Sequence, residues 1–209
     1  MDYERLASGV GGGIAGDPPG VCHWFGDPRK LWPSETRDFV PWLIDHLDLL
    51  GQCLGTPLTF TGHEVGIGEG LRVDIMAADD AGRRIAIEAQ IGSSDAEHLG
   101  KLPMYGVMAN ADLVVWVLAY DRVRQFGFCY QHTRTLQLLD DHLRERMRFA
   151  AVAVTLESDL VPAPVDSKVP PIIPRLRLRD LSKPGRYPDR DSAIPPLAVT
   201  PRSPDVAVA

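Results

Sequence analysis

The sequence predicts an α/β domain, a short mixed β-sheet flanked by helices, set between a glycine-rich lead and a proline-rich tail. Three observations carry this. Segments of helical and of strand periodicity alternate between residues 34 and 157. One of them, LVVWVLAY from Leu113, is a continuous apolar run, as expected of a strand covered on both faces. Eleven of the eighteen prolines follow residue 160, and the first 33 residues are rich in glycine and broken by Pro18, Pro19, Pro28 and Pro33. Proline removes backbone donors and blocks helix. The expected division is therefore a flexible lead over 1–33, a folded domain over 34–157 and a disordered tail over 158–209.

The elements follow in order. ETRDFVPWLIDHLDLLGQCLG places Phe39, Leu43, Ile44, Leu47, Leu50 and Leu54 at helical spacing. Asp38 is the expected N-cap, with Pro41 in the first turn and Gly55 as the stop. TPLTFTGHEVGIG reads as a strand ending in glycines. Two more strands, about 72–78 and 83–90, are joined by the turn Asp79-Asp80-Ala81-Gly82. SSDAEHLGKLPMYGVMANA reads as a helix capped by Ser94 or Asp95 and ending near Asn110. After the apolar run, residues 121–145 read as helix and MRFAAVAVTLE as a last strand. The order is α, three strands, α, strand, α, strand.

Composition excludes several classes. A chain of 209 residues with 44% apolar residues suits one globular domain. No run approaches the roughly 18 apolar residues of a membrane helix. MDYERLASGVGGG is acidic where a secretory leader would be basic, and no apolar stretch follows, so a cytoplasmic location is expected. Cys22, Cys53 and Cys129 lack the spacing of a disulfide framework or zinc knuckle. Residues 34–165 hold 19 acidic and 11 basic residues, a balance of −8, against +3 over 166–209 from eight basic and five acidic. An acidic core counts against wrapping nucleic acid through bulk electrostatics alone. It leaves room for an acidic site whose charge a metal offsets.

Other candidate motifs fare worse. Gly11, Gly13 and Gly16 satisfy G-x-G-x-x-G, but no strand precedes them and no helix opens there. The six histidines lack metal spacing, and His98 reads as a surface or internally satisfied residue. Trp32, Trp42 and Trp116 read as core or boundary aromatics. The RLRLRD repeat at 175–180 reads as a solvated basic patch.

The hairpin RVDIMAADDAGRRIAIEAQ is different, because each apolar strand carries one carboxylate. Strand alternation sets Ile85, Ile87 and Ala89 on one face and Ala86, Glu88 and Gln90 on the other. It likewise sets Val73, Ile75 and Ala77 against Arg72, Asp74 and Met76. Facing residues of paired strands lie about 4.5–5.5 Å apart, so one divalent ion could bridge Asp74 and Glu88. Two solvated carboxylates on an exposed face give the same pattern, and periodicity alone favours that reading.

Arg72-Val73-Asp74-Ile75, then Ile87-Glu88-Ala89-Gln90, then a helix, resembles the PD-(D/E)xK nuclease superfamily. There an Asp opens one strand, and an acid, a spacer and a Lys close the next. Lys101, Leu102, Pro103 and Tyr105 sit where the RecB-like branch carries Gln-Leu-Pro-x-x-x-Tyr-type residues, with Lys101 replacing Gln and Tyr105 retained. ETRDFVPWL looks like the first helix of NucS-like and related restriction-endonuclease-like proteins, which often supplies another acid.

The resemblance implies a restriction-endonuclease-like core and a nuclease acting on DNA, in defence or repair. Asp74 and Glu88 would hold Mg²⁺ or Mn²⁺, with the Ala89 carbonyl as a third ligand. Gln90 stands in for the usual Lys and could orient water through its amide, while Lys101 would supply the missing charge. Glu35 or Asp38 could add an outer acid, although either reads equally well as a helix-start residue. The rival expectation is a nuclease fold without catalysis that binds nucleic acid or a protein partner, or pairs as a homodimer. A third is an unrelated α/β interaction domain.

Overall fold

The computed structural model describes residues 22–25, 27–68, 70–121, 127–160 and 173–178. Strands β1 (Cys22–Phe25), β2 (Leu58–Gly66), β3 (Arg72–Asp79), β4 (Arg84–Ile91), β5 (Leu113–Ala119), β6 (Arg148–Leu160) and β7 (Ile173–Leu178) form one mixed, open sheet. Its order is β1-β6-β5-β4-β3-β2, and β7 also pairs with β6. The β2-β3-β4 run is antiparallel and β4-β5-β6 parallel. Helices α1 (Pro28–Leu31), α2 (Val40–Asp45) and α3 (Leu47–Leu54) cover one face. Helices α4 (Ala96–Met108) and α5 (Tyr130–Leu143) bridge the parallel strands and cover the other. Among the described residues no helix is long and apolar enough to cross a membrane.

The two faces explain the patterning. Phe39, Leu43 and Leu50 pack on Ile75, Ile87, Val115 and Val152. Leu102, Tyr105 and Leu136 pack on Ala86, Val114, Trp116 and Ala151. All seven residues of β5 are buried, as expected of a strand between two layers. Val73 departs from the expected alternation: it joins the α4–α5 side, while Ile75 and Ala77 join the other.

Three boundaries also differ. The first helix begins at Ser34, not Asp38, with a π-helical turn over Glu35–Phe39. Ser34 Oγ accepts from Arg37 N and Asp38 Oδ2 accepts from Ser34 N, a reciprocal cap in which the wide turn moves the acid one residue on. His46 (φ −125°, ψ 31°) then separates α2 from α3. Of the helix expected over 121–145, residues 122–126 lie outside the described residues, and among those described the helix covers Tyr130–Leu143, with Cys129 as its cap. Before it, Gly127 (φ +150°) lies so close to the Tyr120 ring that a Cβ would sit 2.9 Å from it.

Third, the fold reaches past 34–157. β1 and β7 both pair with β6, and α1 leads into Trp32, which is buried against Phe39 and Trp42 with ring centroids 4.8 and 4.7 Å away. Proline does not exclude such a strand, because Pro174 lies in β7, which among the described residues pairs with β6 alone. The rest of the lead and tail, with the G-x-G-x-x-G motif, lies outside the described residues. Trp32→Ala is expected to lower stability by about 3–5 kcal/mol, the usual loss for a fully buried aromatic. Urea unfolding followed by circular dichroism would check it, and an unchanged midpoint would separate this segment from the folded unit.

Candidate active site

The site begins where the hairpin opens. The turn is held by Asp79 Oδ1, which accepts from Ala81 N and Arg83 N, and by Gly82 at φ +74°. The β3–β4 ladder runs from Ala78↔Arg84 to Ile75↔Ile87 and stops. One step further, Asp74 and Glu88 are the next opposed positions. There Ala89 N–H donates to Asp74 Oδ2 at 2.8 Å instead of to a strand carbonyl. Among the described residues no hydrogen bond reaches Asp74 Oδ1.

Glu88 points toward α4 and is 1% exposed. Lys101 Nζ donates to its Oε1 at 3.0 Å. The Tyr105 hydroxyl lies 2.5 Å from its Oε2 and 2.7 Å from Arg72 O, with one proton to share between them. Lys101 and Tyr105 are four apart on α4, so one helix face delivers both to a single carboxylate. Asp95 caps that helix, its Oδ1 accepting from His98 N at 2.9 Å.

Electrostatics follow from burial. Desolvation, then the Glu88 charge, pushes the Asp74 carboxyl up from 3.8 to about 7, against the Ala89 N–H and Lys101. Burial works to lower the Lys101 pKa, but the Glu88 carboxylate outweighs it and the ammonium is held above its usual range. Tyr105, desolvated and beside Glu88, stays a phenol.

The other expected site residues separate. Gln90 shares the α4–α5 face, but its amide is fully used. Nε2 donates to Ser93 O (2.7 Å) and Asp95 Oδ2 (2.6 Å), and Oε1 accepts from Trp116 Nε1 at 3.1 Å. Its two N–H groups are not free to orient water, unlike the sequence expectation. Glu35 accepts from Ile91 N at 3.0 Å and reaches a cleft of about 470 Å³ at the end of β4, bordered also by Gln90, Asp95 and His98. Asp38 serves its own helix start and takes no part.

Asp95, read in sequence as a cap, and His98, read as a surface or internally satisfied residue, also border the site. His98 Nδ1 lies 2.8 and 2.9 Å from the two Asp95 oxygens, and its Nε2 faces Glu88 Oε1 at 3.8 Å. The available signal was spacing: His98, Lys101 and Tyr105 stand at i, i+3 and i+7, one helical stripe.

Among the described residues no three His, Cys, Asp or Glu side chains already stand at metal-ligand spacing. The donor chemistry nevertheless fits one hard divalent cation. Asp74 and Glu88 are paired carboxylates, oxygen donors of the kind Mg²⁺ and Mn²⁺ take. Their mutual repulsion, which raises the Asp74 pKa, is what a cation would relieve.

The sign of the pH effect is fixed by that shift. A carboxyl that titrates near 7 when folded and near 3.8 when unfolded holds its proton more tightly in the folded state. The stability that Asp74 contributes without metal should therefore be fully present below about pH 4 and be lost as pH rises to about 7. Asp74→Asn, which can still accept from Ala89 N–H, should remove that slope and stabilise the protein at pH 8 by on the order of a few kcal/mol. Thermal melts in EDTA across pH 4–8 would show it; parallel slopes in both proteins would not fit.

No family model matches the chain, and neither a curated protein nor a solved structure matches it significantly. Its chemistry has to be argued from its own geometry.

Proposed function

We propose that the chain is a metal-dependent nuclease with a restriction-endonuclease-like core of the PD-(D/E)xK kind, hydrolysing phosphodiester bonds in DNA. The observation that carries this reading is the Lys101 ammonium 3.0 Å from Glu88 Oε1, on the hairpin face where Asp74 approaches. The charge that Gln90 cannot supply at the end of β4 arrives instead from α4. A divalent ion bound there, Mg²⁺ or Mn²⁺, supplies Lewis acidity and a more acidic water.

The protein's own groups divide the remaining work. Asp74 and Glu88 would hold the ion, with the Ala89 carbonyl the third ligand that the resemblance implies. Tyr105, kept as a phenol, fixes the orientation of the Glu88 carboxylate through Oε2. Lys101, which donates to Glu88 Oε1, would supply positive charge to a non-bridging phosphate oxygen, where charge grows in the transition state. Gln90 holds the loop after β4 through Ser93 and Asp95 rather than touching substrate.

A second reading has its own support. Both Glu88 oxygens and both Gln90 N–H groups are already satisfied within the protein, as in a nuclease fold that has kept its architecture and binds nucleic acid or a protein partner without cutting.

Purified protein with a panel of single-stranded, duplex and branched DNA, in Mg²⁺ or Mn²⁺, separates the two. Nuclease action predicts metal-dependent cutting that Glu88→Ala abolishes. Lys101→Ala should lower kcat by about 10²–10³-fold with little change in KM, because its charge acts mainly in the transition state. Wild-type protein that binds DNA or a partner yet cuts nothing would establish the second reading.

A further inference from the structure

We infer that the site takes single-stranded DNA, whose unpaired bases rest on an apolar edge of α4 formed by Met104, Val107 and Met108. This rests on the nuclease reading above and names the form of substrate. A helix that covers a sheet normally turns charged or polar residues to water. α4 breaks that pattern. From Leu102 to Met108 it carries no charge, and its exposed side chains are Met104, Val107 and Met108, at 43%, 70% and 41% exposure. α5, on the same face of the sheet, keeps the pattern with exposed Gln131, Arg134 and Asp141. Three of the six large apolar side chains exposed among the described residues thus fall within five positions of one helix. Apolar side chains gathered in this way mark a contact surface, where single scattered ones do not.

The place of the edge says what it touches. Lys101, Met104 and Met108 stand at i, i+3 and i+7, so the methionines continue the line of the ammonium that meets Glu88. Met108 lies against the β2–β3 loop, where a Cβ on Gly68 would be 3.3 Å from its Cε. That loop leads into β3 through Arg72, which is exposed and donates from Nη1 to Glu64 O at 3.1 Å. The apolar edge therefore runs from the site's own cation toward the start of β3, where Arg72 adds a second.

A duplex does not suit such an edge. It turns phosphates and polar base edges outward and keeps its base faces stacked inside, and Met and Val have no donor for the outward groups. An unpaired strand exposes apolar base faces beside each phosphate. With one phosphate at Lys101, the edge extends about 10 Å along the helix axis, the length of about three stacked nucleotides. The methionine thioether is polarisable, makes favourable contacts with aromatic rings and adapts to their shape. The contact is therefore tolerant of sequence, as stacking platforms for single strands are.

The test measures binding by full-length protein, with Ca²⁺ as an oxygen-binding ion. The probes are a labelled DNA strand, its duplex, and the same strand with its central bases removed and every phosphate kept. Wild type should bind the intact strand about fivefold or more tighter than either of the others, the lower end for one stacked base. Met104→Ser/Met108→Ser, a change confined to exposed side chains, should lose about fivefold or more on the intact strand and less than about twofold on the abasic one. The slope of log K against log salt should not change, because no phosphate contact is lost. Equal affinity of wild type for intact and abasic strands overturns the proposal without any variant. So does a duplex bound as tightly as the strand, or a double variant that binds as wild type does. A dimer that the double variant converts to monomer in sedimentation also overturns it, since the edge then belongs to a second copy. The two proposals fail separately. Base-dependent binding of the single strand without cutting in Mg²⁺ or Mn²⁺ would sink the nuclease and keep this surface. Glu88-dependent cutting of duplex at one rate in wild type and double variant would do the reverse.

Discussion

The buried carboxylate of Glu88 is the constraint around which the rest of the structure is arranged. A charge on a central strand at 1% exposure loses its water, a penalty of several kcal/mol unless partners replace it. The partners come from one helix. Lys101 and Tyr105 reach Glu88 only if α4 lies across β4 with that face down, and α4 can do so only if its first turn is capped where β4 ends. Asp95 provides the cap and, through Gln90, ties it back to the strand. Leu102 and Tyr105 then fall into the apolar layer over Ala86 and Trp116. The polar contacts set the position of the helix, and the apolar layer around them supplies the stability that ion pairs alone do not.

Much of this architecture is legible in the sequence because it depends on local periodicity. The apolar run of β5 has one reading, and the Asp79–Gly82 turn between alternating strands has one register. What the pattern could not show depends on backbone detail or distant packing. Asp38 and Ser34 are both good caps by residue type, and the π-helical turn between them decides which is which. Just before Tyr130, Gly127 takes φ +150° against the Tyr120 ring, a non-helical conformation that residue pattern does not announce. β1 and β7 are short and carry little signal of their own, so their place along β6 is a tertiary fact.

The candidate site divides in the same way. Asp74 and Glu88 are legible as opposed positions because the hairpin turn fixes their register, although alternation fails at Val73 beside Asp74. Lys101 and Tyr105 follow from helical spacing once the helix is known to cross β4. Gln90 is misread by residue type alone: as an isolated amide it could orient water, but Trp116 Nε1, Ser93 O and Asp95 consume it. His98 reads in sequence as a surface or internally satisfied residue, and Asp95 does satisfy it. Its meaning comes from Asp95 on one side and Glu88 on the other, brought together by the cap.

Charge arithmetic connects these parts to the proposed activity. Ionised Asp74 and Glu88 with Lys101 sum to −1, inside a core segment whose balance is −8. Such a site repels phosphate, and the raised proton affinity of Asp74 shows the excess being felt locally. One divalent cation would turn −1 into +1 and leave the Lys101 ammonium available to a substrate phosphate. Binding of nucleic acid by this acidic domain would then depend on metal loading rather than on a permanent basic surface. The salt dependence of that binding should accordingly be shallow, because few phosphates would be neutralised outside the site.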